Sequence, residues 1–287
     1  MTREVPPGTT VRPEAADDVE AIEVRLLVEG LFARYGYDFR NYAAASLRRR
    51  VRARVADEGL SSVSALQALV LHDEAAFGRL LAGFTVQVTS LFRDPGFYLA
   101  VRQTVVSWLR TYPFVRLWVA GCSTGEEVYS LAIVLEEEGL YDRCRLYATD
   151  LSEAALDRAR AGVVPLSAMR DYTANYLRAG GTRSFSDYYT TDETSALLQP
   201  SLRRQVVFAQ HDLATGGSFN EFHAIFCRNV MIYFNQTLQD RVLDLFHGSL
   251  VPRGILALGR SESLRFSLHE AEYEVLVPGE PIYRRRR

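Results

Sequence analysis

The chain has 287 residues, a formal charge of −2 at pH 7 and 48% hydrophobic residues, enough for one large core or for a large and a small one. A balance so near neutral argues for no particular partner, so the placement of charge matters more than its sum. The three cysteines, Cys122, Cys144 and Cys227, stand far apart with no C-x-x-C pair, which argues against a disulfide framework or a cysteine zinc site and favours a reducing compartment.

Residues 1–18 hold three prolines and scattered charge and read as a loose leader. They contain no apolar core of signal-peptide length, and no later run approaches the roughly 18 apolar residues of a membrane span. A cytoplasmic protein is the expectation. From Val19 a helical period begins with Val19, Ile22, Val24, Leu26, Leu27, Leu31 and Phe32, and Gly36 closes it. A second helix is predicted over residues 42–57, a third from the N-cap Ser62 to about Val70, and a fourth over 74–82. The first 85 residues therefore form a small helical unit. Its second helix carries SLRRRVRARV: Leu47, Val51 and Val55 recur every four residues, leaving Arg48, Arg49, Arg50, Arg52 and Arg54 over the remaining surface. With no acidic neighbour before Asp57, that surface suits an acidic partner, and Arg48, Arg52 and Arg54 are the docking candidates.

After Trp108 strands alternate with helices. Strand 115–121 leads into helix 126–138, and strand 144–150 into a helix capped by Ser152 and ended near Gly162. Residues 165–204 break the rhythm with Tyr, Thr, Ser and Gly, the mark of an insertion of short helices and antiparallel strands. Strands at 205–208, 222–227 and 255–258, a helix at 237–250 and one closing antiparallel strand within 273–283 complete the pattern. The terminal arginines read as a solvated tail.

The centre of this arrangement is VRLWVAGCSTGEEVYS, residues 115–130: a strand, a tight turn with Gly121 and Gly125, and a helix opening with Glu126 and Glu127. In a parallel sheet that turn lets a nucleotide-like ligand approach the backbone closely. Two carboxylates at the helix start repel phosphate and suit a cationic, phosphate-free ligand such as S-adenosylmethionine. Asp150 ends the second strand, 29 positions after Gly121, where an acid can accept ribose hydroxyls. Asp212 and Leu213 follow the third strand. In FHAIFCRNVMIYF, residues 222–234, an apolar strand runs into Cys227, Arg228 and Asn229, with Tyr233 a helical turn beyond; polar groups in such a buried run need partners.

AGCSTGEEVYS, the ATD of residues 148–150, FCRNVMIYF and GRSES at 259–263 resemble, in order, the motifs of CheR-type chemotaxis receptor methyltransferases, which are protein-glutamate O-methyltransferases. The resemblance spans roughly residues 20–285. It implies a Rossmann-like S-adenosylmethionine-dependent domain at 89–287 after a helical domain at 19–88, with a small β-subdomain inserted at about 165–204. Residues 87–94 are similar to the family's N-x-T-x-F-F-R-E, with Gln87 in place of Asn and Leu91 in place of Phe. Carried over, Gln87, Thr89, Arg93, Gly121 and Glu127 would hold the cofactor, Glu127 on its amino group. Asp150 would take the ribose, Asp212 and Leu213 the adenine side, and Arg228 and Asn229 the cofactor's edge. Arg93 and Tyr233 would be the catalytic pair beside the target carboxylate. The implied product is S-adenosylhomocysteine, no metal is required, and the implied substrate is the cytoplasmic helical bundle of chemoreceptors, met by a monomer that reaches the membrane only through them. Two other classes remain: a non-catalytic S-adenosylmethionine sensor, and a nucleic-acid methyltransferase, which the RNVMIY following the fourth strand does not favour.

Overall fold

The computed structural model describes residues 19–84 and 89–286; the expected leader, Gln87, the 88/89 boundary and Arg287 lie outside them. Four helices come first: α1 (Val19–Tyr35), α2 (Ala44–Asp57), α3 (Val63–His72) and α4 (Glu74–Phe84). In α1, Val24, Leu27, Val28 and Leu31 recur at intervals of three and one and pack into a common core with Leu47, Val51, Leu66, Val70, Phe77 and Leu80. Ser62 caps α3 by accepting the Ala65 N–H at 3.1 Å.

A further helix went unread in the sequence. It runs as α5 (Pro95–Ala100), a π-helical turn at Val101–Val105, and α6 (Val106–Leu109). Its period is blurred because Phe97, Tyr98, Ala100, Val101, Val105, Val106 and Leu109 are all buried. Its exposed face is narrow, with Leu99, Gln103 and Ser107 on it, and the apolar Leu99 there weakens the amphipathic contrast.

The rest is an α/β sandwich. β1 (Val115–Ala120), α7 (Glu126–Glu137), β2 (Cys144–Asp150) and α8 (Glu153–Ala161) are followed by a small antiparallel sheet of β3 (Val163–Pro165), β4 (Tyr189–Thr191) and β5 (Ser195–Leu198), with α9 (Met169–Arg178) between β3 and β4. β6 (Val206–Gln210), β7 (Phe222–Cys227), α10 (Gln236–Ser249), β8 (Leu250–Leu258), β9 (Tyr273–Val275) and β10 (Ile282–Arg285) complete the main sheet. Its order is β6-β2-β1-β7-β8-β10-β9, parallel from β6 to β8 and antiparallel beyond. Leu117 and Val119 face one core layer while Trp118 and Ala120 face the other, the alternation a two-sided sheet requires.

Two expectations about the C-terminus are corrected. The closing strand is a pair, β9 and β10. The terminal arginines are not a loose tail: Arg284 bonds Glu274 across that pair at 2.7 Å, and Arg285 donates to the carbonyls of His247 at 3.0 Å and Leu250 at 2.6 Å. Chain order reverses between β1, which is followed outward by β2, and β7, which is followed outward by β8. That switch point opens a crevice at the carboxyl ends of the strands.

Candidate active site

A cleft with about 930 Å3 of empty space, its open mouth included, occupies the crevice. Thr89, Arg93, Gly121, Glu127, Asp150, Asp212, Leu213, Arg228, Asn229 and Tyr233 all line it. The turn after β1 needs glycine at its first position. Gly121 has φ +72°, and a Cβ there would lie 2.4 Å from a methyl of Val230, so the loop after β7 could not sit where it does.

The two acids opening α7 part company. Glu126 is buried and accepts the Thr124 hydroxyl at 2.6 Å, outside the cavity lining. Glu127 faces the cavity; its Oε2 lies 3.2 Å from Arg228 Nη1, and its Oε1 is buried with no partner. Burial pushes the Glu127 carboxyl up, against the pull of Arg228. Asp150 braces the same turn: Oδ2 accepts the Ser123 N–H at 2.8 Å and Oδ1 the Ser152 N–H at 2.9 Å, leaving lone pairs over. Burial raises its pKa while those N–H bonds lower it. Asp212 spends its oxygens on its own turn, on the Ala214 N–H at 2.8 Å and the Thr215 hydroxyl at 2.9 Å.

Arg228 is a clamp more than an edge. Almost wholly buried, it meets Asp94 at 2.9 Å and the Arg93 carbonyl at 3.1 Å besides Glu127, and its guanidinium lies 4.0 Å over the Phe97 ring. It thereby ties the Arg93 segment to α7. Arg93 is also aimed by its neighbours. Phe92 and Asp94 on either side have φ +53° and +58°; the Phe92 N–H donates to Ser130 Oγ at 2.8 Å and its ring packs on Tyr98 and Tyr176. Ser123 (+49°) and Asn229 (+62°) at the cavity are left-handed too. Such residues persist only where surroundings over-determine them, which here means a preset rim. Leu91, the departure from Phe, is fully buried in the core and does not line the cavity.

Sequence reasoning missed two parts of the site. Glu262, in GRSES, accepts four backbone N–H groups: Asn229 at 2.9 Å, Val230 and Met231 at 2.8 Å each, and Gly259 at 2.6 Å. A carboxylate in a small-residue turn after an apolar strand was the available signal. The other part is the wall from the helical domain, where Tyr42 and Phe84 line the cavity. The Ala43 N–H donates to the Tyr233 carbonyl at 2.8 Å, and the Arg50 guanidinium stacks 4.3 Å from the Tyr233 ring centre while Nη1 donates to the Phe84 carbonyl at 2.5 Å. No spacing rule brings α2 to a sheet tip.

The arginine helix is accordingly corrected. At roughly 100° per residue, Arg50 and Arg54 lie about 160° and 120° round α2 from Arg48, on the opposite flank of its apolar stripe. Arg50 is buried over Tyr233, and Arg54, mostly covered, turns to Glu58 at 3.5 Å on its own helix. Arg48, Arg49 and Arg52 share one surface hollow, where Arg52 also meets Glu20 at 2.6 Å.

Comparison with known proteins bears on this geometry. Residues 87–277 match the profile of the CheR methyltransferase SAM binding domain, and residues 22–85 that of the CheR methyltransferase all-alpha domain. The chain belongs to the CheR methyltransferase family. It is 50% identical over 264 residues to Cher3 of Pseudomonas putida, covering 92% of this chain and 97% of that one. It is 32% identical to the chemotaxis protein methyltransferase of Salmonella typhimurium over 76% of this chain and 74% of that one.

As a CheR family member it is an S-adenosylmethionine-dependent methyltransferase with a Rossmann-like catalytic domain and an all-helical domain before it. The cavity fits that cofactor on its own chemistry. The unpartnered Glu127 Oε1 suits an ammonium, the Asp150 lone pairs suit hydroxyl donors, and a buried acidic site disfavours phosphate. Ser123 Oγ and His211 Nδ1, also at the cavity, are likewise buried without partners.

Proposed function

We propose that the chain esterifies glutamate side chains on the cytoplasmic helical bundle of chemoreceptors. The observation that carries this reading is that Arg93 and Tyr233 border the same cavity as Glu127 and Asp150. Cofactor-binding acids and carboxylate-positioning groups thus share one space.

The chemistry asks little of the protein in proton transfer. A glutamate with a pKa near 4.3 is already ionised at neutral pH, so no general base is needed. Bound S-adenosylmethionine supplies an activated methyl group on a sulfonium. The chain's task is to align and dry. Glu127 would hold the amino group and Asp150 the ribose, while Thr89, Asn229, Asp212 and Leu213 shape the rest of the cleft. Arg93 and Tyr233 would set the incoming carboxylate in line. Charge is lost in the reaction, so a site drier than water favours it, and alignment can contribute on the order of 7 kcal/mol. Tyr42, Phe84, Tyr233 and Phe234 give the cleft an aromatic wall. Arg228, committed to Glu127 and Asp94, is unavailable to a nucleic-acid phosphate, and we assign no such substrate.

Among the described residues no helix is long and apolar enough to cross a membrane, so contact with membranes would come through the receptors. The test is incubation with tritiated S-adenosylmethionine and receptor-bearing membranes. Label released by mild base marks a carboxyl ester; base-stable label, or none, rejects the reading. Arg93→Ala is expected to leave cofactor affinity within several-fold while cutting methylation on the order of 100-fold, and an unchanged rate would remove Arg93 from the site.

A further inference from the structure

Two buried arginines flank the cleft, and they are held in opposite ways. Arg228 meets the carboxylates of Asp94 and Glu127. Arg50, which crosses from α2 of the helical domain, meets no carboxylate among the described residues. Its Nη1 donates to the Phe84 carbonyl at 2.5 Å, its guanidinium lies 4.3 Å from the centre of the Tyr233 ring, and its Nη2 is buried with no partner. It does not line the cleft itself; Phe84 and Tyr233, the two residues it holds, both do.

Burial pulls the Arg50 guanidinium below its usual range, the mark of a charge that is costly to keep there. An apolar side chain of similar length would fill the same space without that cost, so packing alone does not call for an arginine. Tyr233 supplies the reason. No group among the described residues hydrogen-bonds its hydroxyl, so stacking and packing alone set its ring. We propose that Arg50 is a positioning residue for the methyl acceptor: it fixes the Tyr233 ring and keeps a positive charge behind it that draws the target carboxylate to the Tyr233 hydroxyl. This rests on the reading of Tyr233 as a neighbour of that carboxylate.

A guanidinium over the face of a ring is attracted by the ring's quadrupole, and by drawing electron density from the ring it makes the phenol O–H a stronger donor to an anion. With no counter-ion of its own, the Arg50 charge is uncompensated until a carboxylate arrives. Its burial also keeps salt from screening it. Methylation removes the charge of the carboxylate, so the field favours the bound acid more than the reaction itself. Arg50 therefore acts first on acceptor binding and only second on turnover.

The test is methylation of receptor-bearing membranes by the full-length protein, with receptor concentration varied at saturating S-adenosylmethionine. Arg50→Met, which keeps the length and loses the charge, should raise the receptor KM about tenfold and change kcat by less than about threefold. Arg50→Lys, which restores the charge without the planar fork, should bring KM back to within about threefold of the parent. The Arg50→Met penalty should persist at high salt, unlike that of an exposed arginine. S-adenosylhomocysteine affinity within about threefold of the parent certifies folding in both variants. A KM within about twofold of the parent in Arg50→Met, a lysine variant no better than the methionine one, or a defect confined to kcat would overturn the inference. So would loss of S-adenosylhomocysteine binding in both variants, which would make Arg50 a structural tie. A parent protein that leaves no base-labile label on the receptors would instead sink the glutamate reading beneath the inference, so the two failures are told apart.

Discussion

Glu127 and Glu262 are both largely buried carboxylates beside the end of β7, yet their surroundings treat them oppositely. Glu262 receives four backbone N–H groups and holds the chain at Asn229, Val230, Met231 and Gly259. Glu127 receives one arginine contact on one oxygen and nothing on the other. A saturated carboxylate shapes the loop, and an unsaturated one awaits a ligand. The contrast separates residues that build the cleft from residues that would use it.

The sharpest break in that contrast is Glu127→Ala. Removing a buried, ligand-facing charge is expected to weaken S-adenosylmethionine binding by about 2–5 kcal/mol, measured by calorimetry, with a lesser loss of fold stability because Arg228 gives up one of its two carboxylate partners and keeps Asp94. Affinity within threefold of the parent would mean that Glu127 is structural after all. Glu262→Ala should show the reverse emphasis: four buried N–H groups lose their acceptor, so a loss of about 2–4 kcal/mol in denaturant unfolding comes first, and weaker cofactor binding follows from the loosened loop. Equal stability would show that water replaces the carboxylate without cost.

The two residues also differ in how far the sequence could reveal them. Glu127 stood at a helix start after a glycine turn, a position whose chemistry follows from helix polarity and strand-turn-helix geometry. The β1 to α8 region was legible for the same reason, since each element there buries one face or ends on a recognisable cap. Glu262 works through loops that meet only in the folded sheet, so no local period marks it. The same holds for Tyr42 and Phe84, contributed from a different domain, and for Arg50, whose place over Tyr233 depends on how α2 turns against the catalytic domain. The helix at 95–109 hid because its exposed face is narrow and carries the apolar Leu99.

Acidity sharpens the comparison further. Burial raises the Glu127 and Asp150 pKa values in the empty protein, so at neutral pH these charges oppose folding, and acidification relieves that cost. Cofactor binding runs the other way. It needs the charged forms, is complete above the raised pKa values, and is lost as pH falls through them. Calorimetric affinity should therefore begin to decline at a pH above the ordinary carboxylate range, and Glu127→Gln should flatten that decline. A profile unchanged by the substitution would place the titration elsewhere.

The smallest effect concerns the outer face. Arg48, Arg49 and Arg52 lie together on α2, and Arg52 already has Glu20 at 2.6 Å, so an acidic receptor surface would compete with an existing pair. Exposed ion pairs are weak and screened by salt. Replacing Arg48 and Arg52 by glutamine should slow receptor methylation only roughly two- to fivefold at low salt, and by less at high salt, with cofactor affinity untouched. The salt dependence is the discriminating readout: a docking face loses its advantage as ionic strength rises, whereas a merely structural pair would lower thermal stability and leave the ratio of rates constant across salt.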